Sequence, residues 1–375
     1  MRRIILAILV LAAFCELRAG GNVPLVRFQD TTTELYGFVD LQGNIIIPAK
    51  YQFIETDTFR VAAIVFDTNG RTVCIGRGQE VLFYPFTEDY TADRLESGSV
   101  RTIKDGKIGF ADSCGREFNP PIYDFALPFS GEYAAFLSGG VYGSADGMPD
   151  SLSEHFSWTG GAWGVINKRN DTIIPPGIDN DLLEDLDIFT LTETDPKSSS
   201  FDEFSVGGKK YYIENVISSF ENFLGEFIPM AAEGNTSYVK SHSFDFIDCS
   251  SCSSAPQENK KCIDREKVSP IVPIDEFINN YFNIVFAKDS MVALLDRKNC
   301  FFVCQLDQPS FLHAHGEDIG ERIGLNKYYK YYDLTLVVNH QTAGGRYWQE
   351  RYSFIKTRAG FKFFGYSASP WRDEE

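Results

Sequence analysis

No Gly-x-Ser-x-Gly elbow occurs in the 375 residues, and no Gly-x4-Gly-Lys-Ser/Thr loop. The chain therefore presents neither the strained serine turn of the α/β-hydrolases nor a backbone cradle for phosphates. Histidine is scarce, with His155, His242, His313, His315 and His340 making up the whole inventory. Positive charge is in deficit: 35 Lys and Arg face 52 Asp and Glu, a net charge of −17. Such a surface repels phosphate backbones, which argues against nucleic acid as a partner. Beyond the first 14 residues no stretch is long and apolar enough to span a bilayer.

Those first residues carry their own signal. Arg2-Arg3 precede an apolar run, Ile4 to Phe14, of 11 residues, which is the length of a secretory h-region rather than of a membrane span. Residues 1–19 are thus expected to be a signal peptide, with small residues at Ala13 and Cys15 or at Leu17-Arg18-Ala19 for cleavage. Its removal takes away a net +2 and leaves −19. The mature chain is then exported: periplasmic, outer-membrane associated or secreted. Cys15 raises a lipid anchor, against which the bulky Phe14 counts.

The positive content of the sequence is a recurring phrase. Tyr36-Gly37-Phe38-Val39-Asp40 leads to Gly43 and Ile45-Ile46-Ile47-Pro48; Ile108-Gly109-Phe110-Ala111-Asp112 leads to Gly115 and Pro120-Pro121; Trp163-Gly164-Val165-Ile166-Asn167 leads to Asn170 and Ile173-Ile174-Pro175. A worn copy runs Val73-Cys74-Ile75-Gly76, Gly78, Val81-Leu82-Phe83. Taking Gly43, Gly78, Gly115 and Asn170 as the shared landmark gives steps of 35, 37 and 55 residues, in the range of repeat arrays. The last step implies an insertion at about 138–160. Each copy reads as a β-hairpin, a short alternating run, a polar-Gly turn and a β-branched run closed by Pro. A second apolar patch closes each unit, Val61-Ala62-Ala63 in one and Tyr133-Ala134-Ala135 in another. A lone unit cannot bury both patches, so neighbours must stack.

These residues resemble the WG-repeat family, whose units carry a Trp-Gly pair, a Gly turn, an Ile-Ile-Pro segment and a Tyr-Asp followed by a Phe-Ser-Gly-Ala ending. Trp163-Gly164, Ile173-Ile174-Pro175, Ile122-Tyr123-Asp124 and Pro128-Phe129-Ser130-Gly131 carry the likeness. Tyr36, Ile108 and Thr72 mark departures, the last standing in copy two where Gly is expected. The resemblance covers residues 31–185 and implies a scaffold of the bacterial cell envelope, binding a protein or an envelope polymer.

The expected fold class is a mainly β N-terminal array followed by an α+β domain with an antiparallel sheet. Residues 186–210, after the acidic cluster Asp179 to Asp187 and around Ser198-Ser199-Ser200, read as a linker, and 211–375 as the second domain. Ile213, Val216, Ile217, Phe220, Phe223, Leu224 and Phe227 share one helical stripe, and Ile274, Phe277, Ile278, Tyr281, Phe282 and Val285 a second after Pro273. Strands follow at Tyr328 to Asn339, Tyr347 to Lys356 and Phe361 to Ala368. The closing phrases Tyr352-Ser353-Phe354-Ile355-Lys356 and Gly360-Phe361-Lys362-Phe363-Phe364-Gly365-Tyr366 resemble nuclear transport factor 2-like domains. That resemblance implies a cone-shaped pocket and supports an alternative function, a hydrolase-like enzyme.

Cysteine supplies the remaining candidates. Cys249 and Cys252 form a C-x-x-C pair in the loop 249–262, whose polar flanks predict exposure, with Cys262, Cys300 and Cys304 nearby in sequence. In an oxidising compartment these five are candidates for disulfides; half of a zinc site or unpaired thiols fit the same spacing. Cys74 and Cys114 read as small apolar residues of the repeats. His313-Ala314-His315 with Glu317-Asp318 is the one dense metal-capable cluster, and its Gly flanks read as a solvated loop. No cofactor, metal or catalytic residue is assigned. The Tyr328-Tyr329-Lys330-Tyr331-Tyr332 run is the aromatic group expected at the surface.

Overall fold

The computed structural model describes residues 23–88, 91–95, 98–144, 156–249, 271–286, 300–307, 331–341, 346–368 and 372–373. The expected leader, Cys252, Cys262 and the His313–His315 pair lie outside them. The chain divides into two compact units, one of residues up to Pro196 together with Glu203–Ile213, the other of Lys197–Asp202 together with Glu214 onward. Strands dominate and most pairings are antiparallel.

In the first unit the repeat is a three-stranded meander. Copy one contains β1 (Leu25–Gln29), β2 (Tyr36–Val39) and β3 (Ile45–Tyr51), followed by the two-residue strands β4 (Phe53–Ile54) and β5 (Thr58–Phe59). Copy two contains β6 (Ala62–Phe66), β7 (Thr72–Gly76) and β8 (Val81–Phe83), then the short hairpin β9 (Thr87–Glu88) and β10 (Thr91–Ala92). Copy three is β11 (Ser99–Lys104), β12 (Lys107–Asp112) and β13 (Glu117–Tyr123), with β14 (Phe125–Ala126) after it. Copy four is β15 (Tyr133–Ser138), β18 (Ala162–Asn167) and β19 (Thr172–Ile178), and its inserted hairpin is β16 (Val141–Ser144) and β17 (Phe156–Thr159). The hairpin expected for each copy is the second and third strand of the meander. The "closing" patches Val61-Ala62-Ala63 and Tyr133-Ala134-Ala135 contribute instead to the first strand of the following copy. Successive copies are stitched by the two-residue strands: β4 pairs β6 and β14 pairs β15.

The glycine of the phrase has a steric cause. Opposite it the third strand bulges: Tyr36 pairs Tyr51 and Phe38 pairs Ile47, so two residues on one side face four on the other. Copy three repeats this with Ile108–Tyr123 and Phe110–Asn119, and copy four with Trp163–Ile178 and Val165–Ile174. The bulges hold Pro48, Pro120-Pro121 and Pro175-Pro176, residues that cannot donate to a ladder. The bulged backbone folds down onto the glycine: a Cβ on Gly109 would lie 2.5 Å from Pro121 N and 2.7 Å from Asn119 O, and one on Gly164 2.7 Å from Ile174 O. Copy two has Val73 at this place, not Thr72; its register shifts once, between Cys74 and Ile75, and its third strand ends at Phe83, before the position where the other copies fold onto their glycine. Gly109→Ala is expected to cost about 1–3 kcal/mol by overpacking against backbone that cannot yield, read as a lowered urea midpoint.

In copies one, three and four the turn after the second strand is braced by its first residue; in copy two that residue is Gly76, and only backbone bonds close the turn. Asp40 Oδ1 accepts from the backbone N–H of Gln42 (2.9 Å) and Asn44 (2.8 Å), and Asn44 Nδ2 returns to Oδ2 (2.9 Å). Asp112 does the same for Cys114 and Arg116, and Asn167 for Arg169 and Asp171, with acid and amide exchanged between the ends. The fourth turn residue is left-handed: Gly43 (φ 86°), Gln79 (66°), Gly115 (81°) and Asn170 (65°). In copy two the landmark is therefore Gln79 rather than Gly78, which makes the first two steps equal at 36 residues. Gln79 and Asn170 accept the left-handed strain for a reason. Lys50 donates to Gln79 Oε1 (2.6 Å) and the Tyr123 hydroxyl to Asn170 Oδ1 (2.6 Å), tying each even copy to the strand before it.

The Asp40 turn, and the Asp67 turn between β6 and β7, carry a pH signature. The side-chain and backbone N–H groups of Asn44 hold the Asp40 carboxyl below its ordinary 3.8, as the backbone N–H of Arg71 does for Asp67. A depressed folded pKa contributes stability above the unfolded value that is lost as pH falls through the folded one. Unit one should keep this contribution from neutrality down to about pH 5 and lose it as pH falls below about pH 4. In an acid titration of the urea midpoint, Asp40→Asn should flatten that slope, with a lowered midpoint at pH 7 that converges on the parent's below about pH 4.

Residues 186–210 were expected to be a linker and are not one. Leu186, Ile188 and Leu191 point inward from β20 (Leu186–Thr192) into the core that holds Val165, Ile166 and Ile174. Only Asp187 of the acidic cluster lies on this strand; Asp179, Asp181, Glu184 and Asp185 belong to the helix before it and its cap, and together they make the stretch read as a connector. Asp179 caps the short helix Asn180–Asp185 before it, accepting from Leu182 N (2.8 Å). β21 (Phe201–Val206) and β22 (Lys209–Asn215) complete this sheet in the order β20-β22-β21, so Ile213, expected to begin a helix, lies on a strand.

The second unit is built on the sheet β24-β23-β28-β27-β26-β25, with β29 (Arg372–Asp373) beside β27. Here β23 is Ser243–Asp248, β24 Ile271–Pro273, β25 Cys300–Asp307, β26 Tyr331–Gln341, β27 Arg346–Thr357 and β28 Gly360–Ala368. The hairpins β26-β27 and β27-β28 match the expected strands, and β23 joins β28 in parallel. Helix Val216–Ala232 starts at Asn215, whose Oδ1 accepts from Ser218 N (2.9 Å). Its buried stripe, Phe220, Leu224 and Phe227, meets Phe354 and Phe363 of the sheet; the Phe227 and Phe354 rings are 5.4 Å apart, edge to face. Helices Ile274–Asn280 and Phe282–Val285 add Phe277, Phe282 and Val285.

Candidate functional site

In unit one the aromatic positions at the junctions between copies are equivalent by register. Phe53 opens β4 and faces Phe66; Phe125 opens β14 and faces Leu137. Between copies two and three the same place falls to Tyr84, whose carbonyl accepts from Ile103 N (2.9 Å) beside the Pro85–Thr102 bridge. Phe53 is 41% exposed and Tyr84 46%, whereas Phe125 is 8% exposed. Three rings enclose Phe125: Trp158 of the inserted hairpin stacks on it at 5.3 Å and 24°, and Phe86 and Trp163 meet it edge-on at 5.7 and 6.1 Å.

Copies one and three share more than the ring. Arg27 on β1 and Arg101 on β11 occupy matching positions, opposite Phe38 and Phe110. Arg27 Nη1 donates to Ile54 O (2.9 Å), its guanidinium lies 5.9 Å from the Phe53 centroid, and Nη2 pairs with Asp57 (3.0 Å). Arg101 Nη1 donates to Ala126 O (3.3 Å), lies 5.8 Å from Phe125 and pairs with Asp93 through Nε and Nη2, both at 2.9 Å. The first of these two constructions stands open, with Tyr36 and Phe66 edge-on to Phe53 at 5.9 Å each. The second is closed by Trp158. Trp163, the tryptophan of the phrase, is buried and donates its indole N–H to Asn180 Oδ1.

In unit two a polar network interrupts the apolar core. Glu350 on β27 is 1% exposed; the Tyr366 hydroxyl donates to its Oε1 (2.7 Å) and His340 Nε2 lies 2.6 Å from Oε2. Tyr352, two residues on along the same face, donates to Val285 O (3.1 Å). Burial and the neighbouring Glu350 charge push its hydroxyl well above 10. A carboxylate so enclosed can orient an imidazole and hold a proton between them. Sequence reading missed this trio, because the three residues come from three strands and share no motif.

Of the five cysteines proposed for disulfides, Cys249, Cys300 and Cys304 are thiols, and Cys252 and Cys262 lie outside the described residues. The reading of Cys249 as an exposed loop residue is corrected: it is buried in the core of unit two, against which Cys300 and Cys304 pack. Packing by apolar neighbours rather than cross-linking explains their clustering there. Cys74 is fully buried, as expected, and burial pushes its thiol up to about 12. Tyr332, expected at the surface with its run, is buried, since β26 carries its face onto the core. Among the described residues no three metal-capable side chains cluster, and no helix is long and apolar enough to cross a membrane.

Neither a curated protein nor a solved structure matches the chain. The resemblance of the second unit to nuclear transport factor 2-like domains thus rests on its residues alone. Residues 36–57 and 108–142 match the family of WG containing repeats. Both segments run from the second strand of a copy through the bulge to the junction aromatic, Phe53 in one and Phe125 in the other. In its N-terminal half the chain carries WG-containing repeats, matched in copies one and three.

Proposed function

We propose that the protein is an exported, non-catalytic binding scaffold of the bacterial cell envelope whose repeat surface holds a partner. The observation that carries this reading is the pair of exposed aromatics, Phe53 and Tyr84, at equivalent junctions of successive copies. Exposed rings held on a rigid sheet are efficient anchors, since they bury a large area at low cost in conformational entropy. The leader at residues 1–19 and the acidic mature chain support export. The test is a photo-crosslinking residue placed at Ile46, Tyr84 or Ile122 of the full chain in its native cells, each of which is exposed. Discrete adducts and envelope or extracellular fractionation are expected. Absence of any adduct from all three positions, or recovery of an uncleaved chain in the cytoplasm, would sink the reading.

The Glu350, His340 and Tyr366 network favours one alternative, hydrolase-like chemistry in the second unit. A buried acid beside an imidazole is a common arrangement for general acid–base work, though structural networks share it. Turnover of generic ester, glycoside or peptide substrates by the full chain, abolished by His340→Gln, would replace the binding reading. No turnover above buffer leaves the scaffold.

A further inference from the structure

The two WG-matched copies build the same platform twice, and the protein itself fills one of them. Phe125 lies over Arg101 and is capped by the indole of Trp158, carried on the hairpin β16-β17. Trp158 also packs on Tyr142 of the same hairpin at 5.4 Å. Phe53 lies over Arg27 with the same guanidinium distance to within 0.1 Å, and the same arginine-to-carbonyl bond runs to the following residue of the return strand. The edge-on rims differ in identity, Phe86 and Trp163 around Phe125 against Tyr36 and Phe66 around Phe53, and the stacked cover is present at one only: the loop between the first and second strands of copy four contains a hairpin, and in copies one and two it does not. The Phe53 face, with Tyr36 and Phe66 edge-on around it, is left 41% exposed.

We infer that Phe53, backed by Arg27 and rimmed by Tyr36 and Phe66, is a binding site for a tryptophan side chain presented by a partner polypeptide, as Trp158 is presented to Phe125. This rests on the scaffold reading and names the chemistry of its partner. An indole is preferred to a sugar ring because the occupied platform holds an indole, stacked at 24° rather than edge-on. The site also asks for no charge from its ligand, because Arg27 is already paired with Asp57 at 3.0 Å. A flat ring sandwiched between solvent and a guanidinium-backed phenyl face gains both dispersion and cation–π polarisation.

The test uses the full chain and a dye-labelled, head-to-tail cyclised peptide of residues 139–161, the protein's own tryptophan-bearing hairpin, followed by fluorescence anisotropy. Saturable binding is expected. Phe53→Ala should weaken it by about 3- to 10-fold, the range for one aromatic contact, and a peptide carrying Trp158→Ala should lose affinity by a similar factor. Phe53→Leu keeps apolar volume without the flat face and should fail as Phe53→Ala does, which covers the case in which the alanine variant does not fold. No saturable binding up to millimolar peptide, equal binding by the Phe53 variants, or equal binding of the Trp158→Ala peptide would each overturn the inference. So would a glycan oligomer that binds in a Phe53-dependent manner while the peptide does not. Crosslinks at Ile46, Tyr84 or Ile122 that persist in such a case would leave the scaffold reading standing, so the two fail separately.

Discussion

Arg101→Ala should lower the stability of unit one by about 3–5 kcal/mol, the cost of breaking a buried ion pair from one side. The Arg101 side chain is 6% exposed and that of Asp93 13%, and the pair is bidentate. Asp93 also accepts from the Arg101 backbone N–H at 2.8 Å, and the guanidinium lies 4.8 Å from the Phe86 centroid. Truncation leaves a carboxylate in a low-dielectric pocket, a carbonyl of Ala126 without its donor and two rings without their cation. Such a loss is a large fraction of the stability of an ordinary domain, so the variant should unfold near or below 37 °C where the parent does not. Circular dichroism melts and urea titration read it directly. The second arm of the test is the double variant Arg101→Met with Asp93→Leu. Removing both charges together should recover at least half of the loss, because most of the single-variant cost is the orphaned partner rather than the pair's net worth. The matching change Arg27→Ala, at a site 38% exposed, should cost under about 1 kcal/mol, a contrast between two equivalent positions that isolates burial as the cause.

That contrast shows which parts of the molecule a sequence displays. Tyr36-Gly37, Ile108-Gly109 and Trp163-Gly164 could be seen because a backbone approach that forbids Cβ leaves glycine as the only tolerated residue, and a bulge that forbids N–H donation invites proline. The periodic stripe Phe220, Leu224, Phe227 was visible for the same reason: a helix that buries one face writes its period into the chain. Pairings across distance were not. Gln79 stands where glycine was sought one place earlier, since its side chain is needed by Lys50, 29 residues away. Asn170 is held by Tyr123, 47 residues away. Neither partner has a fixed offset that a reader could follow. The strand Leu186–Thr192 was hidden by a different effect. Four acids of the preceding helix and its cap, Asp179, Asp181, Glu184 and Asp185, dominate the local composition, and the inward Leu186, Ile188 and Leu191 fall at steps of two and three, which breaks a strict alternation. The candidate platform was half legible: the spacing shows the insertion, but its meaning depends on Trp158 lying over Phe125 and on Phe53 being the uncovered twin.

Glu350→Leu should destabilise the second unit by roughly 3 kcal/mol, which is the sum of what its partners lose. The Tyr366 hydroxyl is buried and donates to Glu350 Oε1, and a buried donor stripped of its acceptor costs about 1–3 kcal/mol. His340 loses its partner at Oε2 as well, and its side chain, 25% exposed, can recover part of that loss from water. Leucine returns some of the deficit through apolar contact with Tyr352 and its neighbours in the core. Glu350→Gln is the discriminating companion. Its amide oxygen can accept from Tyr366 and its amide nitrogen can donate to a neutral His340, so the hydrogen bonds survive while the charge is removed. A loss under about 1 kcal/mol for glutamine against roughly 3 for leucine would show that the trio holds the sheet together through satisfied hydrogen bonds. Equal losses would show that the negative charge itself is required. Two urea titrations at pH 7 separate the outcomes. The second of them would move Glu350 from the frame of the unit to the centre of any chemistry done there, because a structural acceptor can be an amide and a proton-holding acid cannot.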